Sequence, residues 1–128
     1  MGIFGRLFGN ENENSESIIP WIPLDNIEQL ETIALASKQR TQVIFKHSTS
    51  CGISRMVLNM FTSNYNLEPE QMDFYFLDLL ANRSVSNAVA STFNVQHQSP
   101  QLLILKEGRV VYHNSHGAIS EVDLKEYV

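Results

Sequence analysis

Apolar positions along the 128-residue chain change their period several times, and each change marks an element. Ile18-Ile-Pro-Trp-Ile-Pro-Leu24 is apolar but holds two prolines, which cannot donate to a central ladder, so it reads as a short edge strand. Asp25 with Glu28 three residues later forms a candidate capping box, and Ile27, Leu30, Ile33 and Ala34 then recur at helical spacing. Val43-Ile-Phe45 is apolar without alternation, the mark of a strand covered on both faces. From Gly52 to about Asn66, the positions Ile53, Met56, Val57, Met60 and Phe61 predict an amphipathic helix, broken by Glu68-Pro69. Phe74-Tyr-Phe-Leu77, closed by Asp78, is the next strand. A helix from about Arg83 to Phe93 follows, with Val85, Ala88, Val89 and Phe93 inward. Gln101–Leu105 and Arg109–His113, joined by Lys106-Glu-Gly108, read as a hairpin. Ser120 and Asp123 open a last helix, with Val122 and Leu124 available for packing.

The predicted order is therefore β-α-β-α-β-α-β-β-α. Alternation up to residue 93 implies right-handed crossovers and parallel strands, and the hairpin adds an antiparallel pair. This is an α/β fold with a mixed central sheet and helices on both faces. One domain is expected over residues 18–128. Before it, residues 1–17 read as an apolar tip (Met1–Gly9) and a flexible polar linker, Asn10–Ser17. The tip has two readings, a frayed terminus or a segment that touches a membrane or a partner.

Composition narrows the function. Hydrophobic residues make up 43% and charged residues 18%, which suits a folded core. The net charge is −5 and the nine basic residues are scattered, so no nucleic-acid partner is expected. No run is long enough to span a bilayer and no signal peptide is read, so the expected location is cytoplasmic, without membrane attachment. A single cysteine excludes an intramolecular disulfide and argues for a reducing compartment. With four dispersed histidines (His47, His97, His113, His116) it makes no zinc-ligand spacing, and no metal is expected.

Cys51 stands between the buried strand and the amphipathic helix, where unpaired amides and the positive end of the helix dipole favour a thiolate. At about 100° per residue the apolar helix face centres near Ile53 and Met60. That puts Cys51 roughly 150° away, on the solvent side beside Arg55. A redox thiolate and a chance surface cysteine both fit this position. Pro100, after Ser99 and before the apolar strand, is an ordinary loop proline or a cis proline in a tight connection. Asp78, at a strand end, is a structural acid or a group that tunes the site.

Phe45-Lys-His-Ser-Thr-Ser-Cys51-Gly-Ile-Ser54, with Ser99-Pro100-Gln101 and Ser115-His116, resembles the monothiol bacilliredoxin family within the thioredoxin-like superfamily. The resemblance implies a thioredoxin fold and a disulfide oxidoreductase in which Cys51 attacks. Ser54 then stands where a two-cysteine relative has its resolving thiol, and Pro100 corresponds to the cis proline. Ser50 and Gly52 replace the family's usual threonine and proline. Lys46, His47 and Arg55 are expected neighbours of the thiol, and Ser99, Pro100 and His116 are expected to contact substrate. The implied cosubstrate is a small thiol such as bacillithiol, with no tightly bound cofactor. The implied partners are S-thiolated client proteins, and the chain is expected to act as a monomer. Cys51-Gly-Ile-Ser54 also approaches the motif of monothiol glutaredoxins, which implies an alternative, an iron–sulfur cluster shared in a dimer. A redox-inert interaction module is the third reading.

Overall fold

The computed structural model describes residues 19–68 and 70–128, and the predicted tip, linker and Pro69 lie outside them. Its strands are β1 (Trp21–Pro23), β2 (Thr41–His47), β3 (Met72–Asp78), β4 (Gln101–Lys106) and β5 (Arg109–Ser115). They form one sheet in the order β1-β3-β2-β4-β5. β1, β3 and β2 run parallel, whereas β4 and β5 join antiparallel. The proline-bearing β1 lies at the edge, as its missing amides require. All seven residues of β2 are buried, which accounts for its unbroken apolar run. Between β4 and β5, Glu107 and Gly108 both take positive φ (55° and 82°), the two-residue turn that matches strand twist.

Helices cover both faces. α1 (Gln29–Ala36) and α3 (Arg83–Phe93) pack on one, around Leu30, Ile33, Ile44, Leu77, Val85 and Val89. α2 (Gly52–Ser63) packs on the other, where Val57 and Phe61 meet Phe45, Phe74 and Trp21. The Phe45 and Phe61 rings lie 5.5 Å apart, within aromatic packing range.

Three expectations are corrected. α1 starts four residues later than the capping box implies, because Gln29 Oε1 accepts from the amides of Asp25 and Asn26 (2.9 and 3.0 Å) and holds that stretch as a turn. Ile27 is left half exposed. The C-terminal element is two short 3₁₀ segments, His116–Glu121 and Leu124–Tyr127, which bury Ile119 and Leu124. Most consequential is α2. It ends at Ser63, and its inward face is Ser54, Val57 and Phe61 rather than Ile53 and Met60. Ile53 (58% exposed), Met56 (56%) and Met60 (40%) form an outward apolar stripe.

The reassignment of the α2 face has a direct test. Met56→Gln is expected to change unfolding free energy by less than about 0.5 kcal/mol. Phe61→Ala is expected to lower it by about 3–5 kcal/mol. Chemical denaturation of both variants measures the contrast, and similar losses would contradict the observed face.

Candidate functional site around Cys51

The functional end of the sheet is where β2 stops. Parallel register sets His47 beside Asp78 of β3, and antiparallel register sets Lys46 beside Gln101, the first residue of β4. Gln101 in turn pairs with Ser115 at the end of β5, and the His116 amide donates to the Pro100 carbonyl (3.0 Å). Three segments therefore emerge together: residues 48–51, residues 94–100 and the Ser115-His116 turn. Within the second of them the Ser99-Pro100 bond is cis.

Cys51 is the N-cap of α2, with extended backbone (φ −108°, ψ 120°), and is half-buried. The first intrahelical bond runs from the Arg55 amide to the Cys51 carbonyl (3.1 Å). Helix geometry thus leaves the amides of Gly52, Ile53 and Ser54 without a partner along the helix. These donors and the helix dipole favour negative charge at this end.

One turn below, Ser54 is fully buried. Its Oγ accepts from the Ser48 amide (3.1 Å) and lies 2.9 Å from His47 Nδ1. Burial holds His47 below the ordinary histidine range. Asp78 partly opposes that shift and Arg55 adds to it. A neutral His47 can accept the Ser54 proton at Nδ1, so the pair is satisfied and ties β2 to the first turn of α2. Arg55 is exposed and donates to the Thr49 carbonyl (3.3 Å), bracing the loop that delivers Cys51.

The family profile of the monothiol bacilliredoxin BrxC matches residues 22–124, which carry this whole arrangement. The chain belongs to the monothiol bacilliredoxin family. A solved thioredoxin-fold protein proposed to be an oxidoreductase is 31% identical, with a TM-score of 0.65, over 77% of this chain and 85% of that one. Two thioredoxins share the fold at lower identity. That of Malassezia sympodialis is 15% identical (TM-score 0.62, 84% of this chain, 91% of its own). That of Schistosoma mansoni is 19% identical (TM-score 0.62, 84% and 95%). Family and fold together place this bacilliredoxin among thiol–disulfide redox proteins.

Against that assignment the predicted neighbours of the thiol divide. Ser50, Gly52, Ser54, Arg55 and His47 lie on the Cys51 loop, the first turn of α2 and the strand end beneath them. Ser99, Pro100 and His116 lie on the adjoining segments. Ser50 Oγ is exposed, 3.4 Å from Ser48 Oγ. His47, expected beside the thiol, is a buried residue at the end of β2. Lys46 does not stand open to a ligand's carboxylates. It is 0% exposed, points to the α3 face, and places Nζ 3.3 Å from the Ser86 carbonyl and 3.2 Å from His97 Nδ1. The reason is strand alternation: Phe45 and His47 face α2, so Lys46 faces away from it. Ser86 and His97 went unrecognised as its partners. They lie 40 and 51 residues away, and no local pattern announces such a contact. Asp78 Oδ1 accepts from the Leu80 amide, a turn role, while its charge reaches His47.

Gly52 invites a substitution. It is the first helical residue, its φ is not in the left-handed region, and an added Cβ would meet nothing within 4 Å. Proline suits this position, because its missing amide is one the helix cannot use, and extended Cys51 tolerates it. Gly52→Pro, which restores the family's usual residue, is expected to raise stability by about 0.4–1 kcal/mol through the unfolded chain. Thermal melts of the two proteins measure it, and a lowered melting temperature would refute the geometry.

Proposed function

We propose that this bacilliredoxin removes a low-molecular-weight thiol, bacillithiol by preference, from mixed disulfides on client proteins. The Cys51 thiolate attacks the small-thiol sulfur of the mixed disulfide. A disulfide forms between Cys51 and the small thiol, and the client disulfide breaks. The client sulfur is reduced and leaves as a thiolate that takes a proton from water. A second small thiol then attacks the Cys51 adduct, releases the symmetrical small disulfide and restores the Cys51 thiolate. Client and small thiol are the only partners required, and the reaction needs no metal.

The observation that carries this reading is a half-buried N-cap cysteine with the buried hydroxyl of Ser54, rather than a second thiol, in the first turn beneath it. The Ser54 hydroxyl is engaged with His47 and the Ser48 amide and has no sulfur chemistry, so the adduct on Cys51 awaits an external thiol. Ser99 and the His116 turn, held over buried Pro100, supply the adjoining surface against which a client chain is presented. The test uses one client protein carrying bacillithiol on a single cysteine and the same client carrying glutathione. Intact-mass spectrometry is expected to show the bacillithiol mass moving onto Cys51 as it leaves the client, faster than glutathione does. Absence of any Cys51 adduct with both clients overturns the proposal, and equal rates overturn the preference.

A further inference from the structure

Lys46 is an ammonium in the core without a carboxylate to neutralise it: the ion pair formed among the described residues is Arg40–Asp73, elsewhere on the sheet. Its neighbours on the same face, Ile44 and Leu77, are buried aliphatics, and an aliphatic residue would fill the position without desolvating a charge. What the ammonium does instead is reach the segment that precedes β4. His97 Nδ1 lies 3.2 Å from Nζ, and Ser86 Oγ lies 3.4 Å from the same ring nitrogen. That segment is fixed at its two ends, by the Val95 amide on the Ala90 carbonyl and the His116 amide on the Pro100 carbonyl, and more sparsely between them. Gln101 Nε2 donates to the Gln96 carbonyl (2.9 Å), while Ser99 Oγ and Gln101 Oε1 are buried without a partner among the described residues. Unsatisfied polar atoms make the observed position costly to hold, so an external tether matters there.

We propose that Lys46 is a positioning residue, a latch that holds residues 96–99, and with them Ser99 and Pro100, against the end of β2 through His97. Its consequence for catalysis rests on the exchange reaction proposed above, whereas the latch itself does not. The charged groups that bear on the pair are Lys46, His97 and Arg83 of α3. Burial lowers both Lys46, to about 8, and His97, and the two cations lower His97 further. Neutral His97 accepts from the charged amine, a charge-assisted bond stronger than its neutral counterpart. The latch is therefore tightest between the pH at which His97 loses its proton and about pH 8. It weakens on the alkaline side as the amine discharges, and it breaks in acid, where both groups are cations.

Amide hydrogen exchange in the full chain, corrected for intrinsic rates, tests the latch directly. Lys46→Met and His97→Leu are each expected to speed exchange about tenfold, the effect of one lost hydrogen bond, at the two bonded amides that flank the segment, Val95 (to the Ala90 carbonyl, 3.1 Å) and His116 (to the Pro100 carbonyl, 3.0 Å), with α2 unchanged. His97→Asn, whose Oδ1 can accept where Nδ1 did, is expected to restore most of the protection. In the parent protein, protection of these amides should fall above pH 8, and this measurement stands even if a variant fails to fold. Equal exchange in Lys46→Met and parent, or no rescue by His97→Asn, overturns the proposal. Protection that behaves as described in a protein showing no bacillithiol transfer would uphold the latch and reject the function assigned to the site.

Discussion

The variant Cys51→Ser is expected to fold normally and to catalyse no disulfide exchange above background. Serine at an N-cap is at least as favourable as cysteine. Cys51 makes no side-chain capping bond, so stability should hold or rise by about 0.5–1 kcal/mol. The hydroxyl cannot be oxidised to a disulfide, so the loss of activity is complete rather than partial. A companion variant sharpens the result. Ser54→Cys puts a second sulfur one helical turn from Cys51 and removes the bonds to His47 and the Ser48 amide, at a cost of about 1–3 kcal/mol. In that variant the adduct on Cys51 should collapse to an internal disulfide, whereas in the parent it should persist until free thiol is added. Intact mass after a single turnover reads both outcomes. Retained activity in Cys51→Ser, or an equally persistent adduct in Ser54→Cys, would break the monothiol assignment.

The second large effect lies in the pH dependence of stability and belongs to Lys46. In the folded protein its amine titrates near 8, against 10.5 when free. Below pH 8 both folded and unfolded chains carry the charge, and folding bears the whole penalty of burying it. Between about 8 and 10.5 the unfolded chain binds the extra proton, so stability rises with pH by linkage, by roughly 2–4 kcal/mol in total. Lys46→Met removes the charge and keeps the volume. It is expected to gain roughly 1–3 kcal/mol at pH 7 after the lost hydrogen bonds are subtracted, and to flatten the alkaline rise. In acid the slope has the same sign, now through His47 and His97. Both are held below the usual histidine value by burial, so an unfolded chain takes up their protons first and stability falls as pH drops below about 6.5. Urea denaturation across pH 5–10 resolves the profile. A parent protein whose stability stays level above pH 8 would contradict the buried ammonium. With the latch at residues 96–99, the expectation is a protein made globally more stable and locally looser by one substitution, a trade that functional sites commonly show.

Much of this architecture was legible without coordinates. Edge placement of β1 follows from Pro20 and Pro23, and the cover on both faces of β2 from the run ending at Phe45. The bounds of α3 and the turn at Glu107-Gly108 were readable from spacing and glycine. The site residues were legible chiefly by resemblance, since a single cysteine at a strand–helix junction fits more than one use. The identities of its supporting groups were not. Gln29 folding back over Asp25 and Asn26 displaced a helix start that the capping pattern had placed earlier.

By itself the chain's sequence determined the order of elements as far as β5, the burial of β2 and the place of Cys51 where β2 hands over to α2. Each depends on periodicity and turn chemistry acting within a few residues. Tertiary structure alone decided which face of α2 turns inward, and it chose Ser54 over Ile53 because His47 and the Ser48 amide satisfy the buried hydroxyl. It also decided that Lys46 goes into the core, because Ser86 and His97 meet it there. A pattern of apolar residues ranks faces by hydrophobicity, but a polar side chain is buried only where distant partners complete its hydrogen bonds, and those partners are brought in by the fold.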